Sequence, residues 1–440
     1  MKTAQTNQAQ PLVSEPARNI PLAASHDVVV CGGGPAGVAA AIAAARAGAD
    51  TCLVENQGCL GGVWTSGLLS VIIDGKNKTG LMPELRRRLR EMDAIQERRD
   101  LYDAEAMKVL LEELCEEAGV QVRLYTRLAA VDMEDGVIRH VILEAKEGRF
   151  AIAAKQFVDA TGDGDLGALA GCGFDFGRPS DGLTQPMTLM ALIVNVPAGI
   201  ALPPYVSAHS EYSIDKKRFY RMLETVGVST SYTNPSIFRL PNGLSALMVH
   251  HAYEKSALHS ADLTRASIEA RREIRQVVEA MKRFSDEWSK VELVATAAHV
   301  GVREGRRIHG DYCVSSQDVI SGRRHPDGIA RVTFGVDVHS VRKSEGGGYG
   351  EDRIPNQPYD IPLRALVARD ADNLFLAGRC ISGDFYAHAS YRVTGNAVAT
   401  GEAAGKAAAH VALTGCNSHS VEFSKVFEVF ERETDDHIYD

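Results

Sequence analysis

The sequence predicts an α/β fold: a doubly wound parallel sheet that carries a β-meander, with an α+β unit inserted into it. Three observations predict it. Between residues 27 and 55 an apolar run, a glycine cluster, an alanine-rich stretch and a second apolar run follow one another. Short β-prone segments crowd between 120 and 160, and another strand and alanine-rich helix return after 370. A chain of 440 residues, 45% hydrophobic and 24% charged, has the composition of a soluble globular protein and the length for two cores.

Residues 28–31 read as a buried strand and 36–47 as a helix of small residues stopped by Gly48, with "DTCLVE" as the second strand. Helices are expected at 80–92 and 103–118, the second with Met107, Leu110, Leu111, Leu114 and Ala118 on one face. "VQVRLY", "RLAAVDM", "GVIRHVILEA" and "RFAIAA" read as a four-stranded meander, and "QFVDAT" as a return to the main sheet. Residues 185–340 mix strands with a strong helical pattern at 262–283, and 342–358 are glycine- and charge-rich enough to require a loop. The division expected is a disordered tail at 1–25, a dinucleotide domain at 26–185, a substrate domain at 186–340, the second part of the dinucleotide domain at 341–415 and a tail at 416–440.

A net charge of −9 argues against nucleic acid as a partner. The eight cysteines are scattered without a C-x-x-C pair, which suits a reducing compartment and speaks against disulfides or a metal site. The polar N-terminal stretch is unlike a signal peptide, and no apolar run is long enough for a membrane span. A cytoplasmic protein is expected, with homo-oligomerisation left open.

Gly32-Gly33-Gly34-Pro35-Ala36-Gly37 satisfies G-x-G-x-x-G between strand and helix. The first glycine permits the tight turn, the second admits a pyrophosphate, and the third lets helix and strand approach. Glu55 ends the next strand, where a carboxylate accepts from ribose hydroxyls and repels the 2′-phosphate of NADP. It does not separate NAD from FAD. A second match, "GDGDLG" at 162–167, carries two aspartates that disfavour a phosphate, so its turn is expected to pass over the first dinucleotide. The C-terminal strand ends in Gly378-Arg379, and a long helix begins near 392–395. Such a helix aims its positive end at an isoalloxazine ring, where reduction builds negative charge. NAD chemistry has no need of it, so FAD is the expected cofactor.

These residues resemble the FAD-dependent oxidoreductases related to the flavoprotein subunits of succinate dehydrogenase and fumarate reductase. Six stretches carry the resemblance in family order: the opening motif, "GCLGGVWTSGL" (58–68), "DATGDGDLGALAG" (159–171), "GVREGRRIHGDY" (301–312), "YDIPLRAL" (359–366) and "NLFLAGRCIS" (373–382). The resemblance implies a Rossmann-like FAD-binding domain in which Gly32, Gly34, Pro35, Ala36, Gly37, Glu55, Gly61, Gly62, Ala160, Thr161, Gly162, Gly378, Arg379 and Val393 contact FAD. The chain departs from the family at Ala298-His299, at "ALMVHHAYE" and at "ISGDFYAHASYRV", where a substrate pocket is expected.

The candidate catalytic residues are His388, His299 and His251 as bases, Arg392 and Arg303 as carboxylate-binding groups, and Tyr386 as a hydrogen-bonding wall residue. His339 reads as structural, and no metal is expected. The reaction expected is hydride transfer from a small polar CH–OH or CH–NH substrate to flavin N5, the electron acceptor being open. The alternatives are a flavin monooxygenase or double-bond reductase fed by NAD(P)H or another donor, and a non-catalytic flavoprotein subunit of a redox complex.

Overall fold

The computed structural model describes residues 13–197, 213–348, 350 and 354–427; the outer parts of both expected tails and part of the glycine-rich loop lie outside them. Five parallel strands form the centre in the order Gln121–Arg123, Thr51–Val54, Leu22–Cys31, Gly148–Asp159 and Leu374–Leu376. The apolar residues of the central strands are sealed: Val28, Val29, Val30, Leu53, Phe157, Val158 and Leu374 are all fully buried. Continuous apolar runs of this kind belong to parallel strands covered on both faces. The fold is the α/β, Rossmann-like architecture expected.

Two details differ from the sequence reading. "VQVRLY" is no part of the meander; Gln121–Arg123 pairs parallel with Thr51–Val54. "RFAIAA" and "QFVDAT" are one strand, Gly148–Asp159, and Lys155–Gln156 do not interrupt it. Along one edge this strand pairs with Leu22–Cys31. Its other edge takes Val137–Ala145 antiparallel at its start and Leu374–Leu376 parallel at its end. The meander is thus a three-stranded ribbon grown from the same strand that carries the Asp159 turn.

The glycine-turn helix (Pro35–Arg46) and the closing helix (Thr394–Thr414) cross in close contact. A Cβ at Gly401 would collide with the Ala36 carbonyl, and one at Gly405 with that of Ala40. The alanine and glycine content of both helices is what this backbone approach demands.

A second core is built on an antiparallel sheet in the order Ser236–Arg239, Ser245–Met248, Ala191–Val194 and Glu292–Thr296. The helix Ser260–Phe284 covers it, burying Ala266, Ala270, Ile274, Val277, Val278 and Met281 at helical spacing. This cluster draws on residues between 187 and 302, with a few from 68–104. Ile308, Val314, Val319 and Val332 pack with the first core, so the chain returns to it well before 340. The stretches read as tails also contribute. The first strand begins at Leu22, paired to Ala151, and Phe427 is buried against the first core. Among the described residues, no helix is long and apolar enough to cross a membrane.

Candidate active site

A cleft of about 960 Å³ runs from the glycine turn to the N-terminus of the closing helix and on beneath the second core. That is near the top of the ~300–1,000 Å³ range of small-molecule and cofactor sites. At one end the three motif glycines divide their work. Gly32 has φ +99°, and a Cβ there would strike Ala160; a Cβ at Gly37 would run into the Gly32 carbonyl. Gly34 is different. No atom lies within 4 Å of where its Cβ would stand, and it faces the cleft. The protein leaves there a space that a pyrophosphate needs.

Glu55 is buried at the cleft edge and ties the turn together, accepting from the Gly33 N–H at 2.5 Å and the Gln57 N–H at 2.7 Å. Each oxygen keeps a second lone pair for a ribose hydroxyl. Gly32, Gly34, Pro35, Ala36, Glu55, Gly62, Ala160, Thr161, Gly162, Gly378, Arg379 and Val393 all line the cleft. Gly37 and Gly61 shape it from behind, Gly61 donating its N–H to Gly33 O at 2.7 Å.

The "GDGDLG" turn is held from below by Asp159. Its carboxyl accepts from Thr161 N, Thr161 Oγ1 and Gly167 N at 3.0, 2.7 and 2.8 Å. Burial pushes this carboxyl up to about 6 against those bonds. Gly162 accommodates the Arg379 guanidinium, which pairs with Asp163 at 2.8 Å, and Gly167 packs on Ile308. These glycines serve packing, and the turn forms part of the cleft wall.

The closing helix begins at the cleft with Val393 as N-cap and no side-chain cap. Its open N–H groups and dipole favour negative charge by about 0.3–1 kcal/mol, up to ~2 in partly buried geometry. Arg379 Nε and Arg392 Nε are buried donors that no group among the described residues satisfies. These donors, the space over Gly34 and the open helix end fit the two ends of a flavin dinucleotide.

Beyond the helix end the cleft becomes a polar chamber. Arg303 donates to Pro186 O and Thr188 Oγ1 at 2.6 and 2.7 Å. Arg392 donates to Asp337 Oδ2 at 3.2 Å and to the Asp337 carbonyl at 3.0 Å. His299, Tyr232, Asp337 and His339 complete the walls, with Met190, Met248 and Leu263 as apolar patches. Despite burial, His339 and the arginines hold the Asp337 carboxyl well below the usual range, so it is a carboxylate.

Three expected site residues lie elsewhere. His388 is fully buried on the helix Phe385–Tyr391, edge-on to Tyr391, and does not reach the cleft. Burial pushes its imidazole far below the usual value, keeping it neutral. Tyr386 packs with a small apolar cluster of Val338, Val341 and Phe385 outside the cleft. His251 sits one layer behind the wall, stacked on Tyr232 with ring centroids 4.0 Å apart. Glu304 and Arg307 form a buried ion pair at 2.6 Å that joins Gln185 to Gly177 and Gly383, a structural clamp. Asp337 and Tyr232 line the cleft without having been singled out from the sequence, and so does His339, which the sequence reads as structural. The signal was the alternation in "VDVHS", which puts Asp337 and His339 on one side of an extended segment.

The fold and the cleft define a flavin-dinucleotide oxidoreductase. A family model for FAD-dependent oxidoreductases matches residues 27–429, and the chain belongs to that family: it is an FAD-dependent enzyme. Among curated proteins, none matches the chain. Its fold is similar to that of a geranylgeranyl bacteriochlorophyll reductase-like protein from Thermoplasma acidophilum (15% identity, TM-score 0.44, 88% of this chain and 78% of that one). Similar too are p-nitrophenol 4-monooxygenase from Pseudomonas putida (13%, 0.44, 89% and 79%) and a flavin-dependent brominase (14%, 0.47, 90% and 81%).

Proposed function

We propose that the protein is a dehydrogenase or oxidase that removes hydride from a small polar substrate bearing a CH–OH or CH–NH group. One observation carries the reading: the cleft continues past the open helix terminus into a chamber that brings together Arg303, Arg392, Asp337, His339 and His299. FAD, when bound, supplies a two-electron acceptor at N5. The chain's own residues bind and orient the substrate and take its proton. Gly34, Glu55, Gly62, Thr161, Arg379 and Val393 would hold the cofactor, and the unit built on residues 187–302 roofs the substrate. Kinship with the succinate dehydrogenase flavoproteins is inferred from the six ordered motifs alone.

The test is anaerobic. Purified protein loaded with FAD is mixed with a panel of polyols, sugars, hydroxy acids and amines, and separately with NADH and NADPH, while the flavin's visible absorbance is followed. Bleaching by a member of the panel is the expected result. Bleaching by NAD(P)H alone would make the enzyme a monooxygenase or reductase, and no bleaching by any would remove the catalytic reading.

A further inference from the structure

His299 lies between Ala297 and Val300 of the second core, yet the chain carries it back toward the glycine turn. Its backbone N–H donates to Ser66 O at 3.1 Å, and Ser66 Oγ donates to Gly62 O at 2.9 Å. Gly62 in turn packs on the turn itself: a Cβ there would stand 3.0 Å from the Gly34 Cα. Two residues further on, Gly301 and Thr188 exchange both backbone hydrogen bonds, at 2.7 and 3.0 Å. The segment is thus pinned on either side of a histidine that lines the cleft. The charged groups acting on its ring are Asp163, Arg379 and Glu55. Glu55 marks the ribose end of the cofactor site, and the Asp163–Arg379 pair lies in the wall at Gly162. Between the ribose and the flavin end of a dinucleotide runs its diphosphate. We propose that His299 donates a hydrogen bond to the diphosphate of FAD, so that the second unit holds the cofactor together with the glycine turn.

The ring is equipped for this contact. His299 is partly exposed, and among the described residues neither ring nitrogen is sealed or hydrogen-bonded. An imidazole carries an N–H donor in either tautomer, and two once protonated. The two guanidinium groups in this part of the wall are already engaged, Arg379 with Asp163 at 2.8 Å and Arg306 with Asp165 at 2.9 Å. His299 has no such competitor. Burial moves its imidazole below the usual value, so the ring is neutral at pH 7 while the site is empty. The negative charge of a diphosphate opposes that shift and favours the imidazolium, which couples FAD binding to proton uptake.

Titration of the apoprotein with FAD, followed by flavin fluorescence, decides it. His299→Leu should weaken FAD binding about 10- to 150-fold at pH 7, the loss of one hydrogen bond to a charged group, while the melting temperature of the apoprotein is kept. ADP, which carries both phosphates and no flavin, should lose a comparable factor when it is used to displace FAD. His299→Lys, which returns a donor and a cation, should recover most of both. Between pH 8 and pH 6 the wild type should bind FAD more tightly as the imidazolium forms, and His299→Leu should lack that gain. Wild-type FAD affinity in His299→Leu overturns the proposal. So does a loss confined to FAD with ADP unaffected, which would move the contact to the flavin half. A loss of affinity and of apoprotein stability together, without rescue by lysine, makes the residue structural and overturns it as well. No substrate enters these measurements, so they stand apart from the dehydrogenase reading.

Discussion

Gly34→Ala separates cofactor binding from folding more cleanly than any other change in the glycine turn. Gly34 has φ −70° and ψ −175°, extended backbone that alanine adopts without strain, and nothing lies within 4 Å of the added methyl. The apoprotein should therefore keep its stability or gain about 0.4–1 kcal/mol through the loss of unfolded-state freedom. The methyl would occupy the space in which the backbone meets the pyrophosphate. Losing one charge-assisted hydrogen bond costs about 1.5–3 kcal/mol, which weakens FAD binding roughly 10- to 150-fold. Thermal unfolding of the apoprotein and fluorescence titration with FAD measure the two effects separately. Gly37→Ala is the control. Its methyl collides with the Gly32 carbonyl, so folding and FAD binding should fail together. Wild-type FAD affinity in Gly34→Ala would refute the placement of the pyrophosphate.

Arg307→Ala leaves Glu304 buried without its ion-pair partner, and urea unfolding should show a loss of about 3–5 kcal/mol. Glu55→Gln replaces one acceptor oxygen with an NH₂ aimed at a backbone N–H. It should weaken FAD binding and lower the melting temperature, at a cost of about 1–3 kcal/mol. Burial and Arg303 hold His250 near 4, below its unfolded value, so the unfolded chain binds more protons between pH 6.5 and 4 and stability falls on acidification. Denaturant midpoints at pH 7 and pH 5 should show His250→Gln removing about 2 kcal/mol of that loss.

The dinucleotide core was legible because its signals are local. The glycine turn, the strand-end Glu55 and the small residues of two helices each declare a backbone approach that only those side chains permit. Strand partnership is not local. Gln121–Arg123 looks like its meander neighbours, and only its pairing with Thr51–Val54, distant in sequence, makes it parallel. At the chemical end, nearness in sequence misled. His388 is one helical turn before Arg392, yet Arg392 lines the cleft while His388 is fully buried away from it. In "VDVHS", Val338 joins a small apolar cluster while Asp337 and His339 face the cleft. The alternation was visible, but which face met a cofactor depended on segments distant in the chain.

The proposed function puts the reacting substrate in the chamber beside the closing helix, and the rate of metabolite-driven flavin bleaching in Arg392→Ala tests that placement most directly. Arg392 joins the helix terminus to Asp337, so its loss should slow single-turnover bleaching at least tenfold while FAD remains bound. Bleaching at the wild-type rate, with FAD retained, would put the chemistry somewhere other than this chamber.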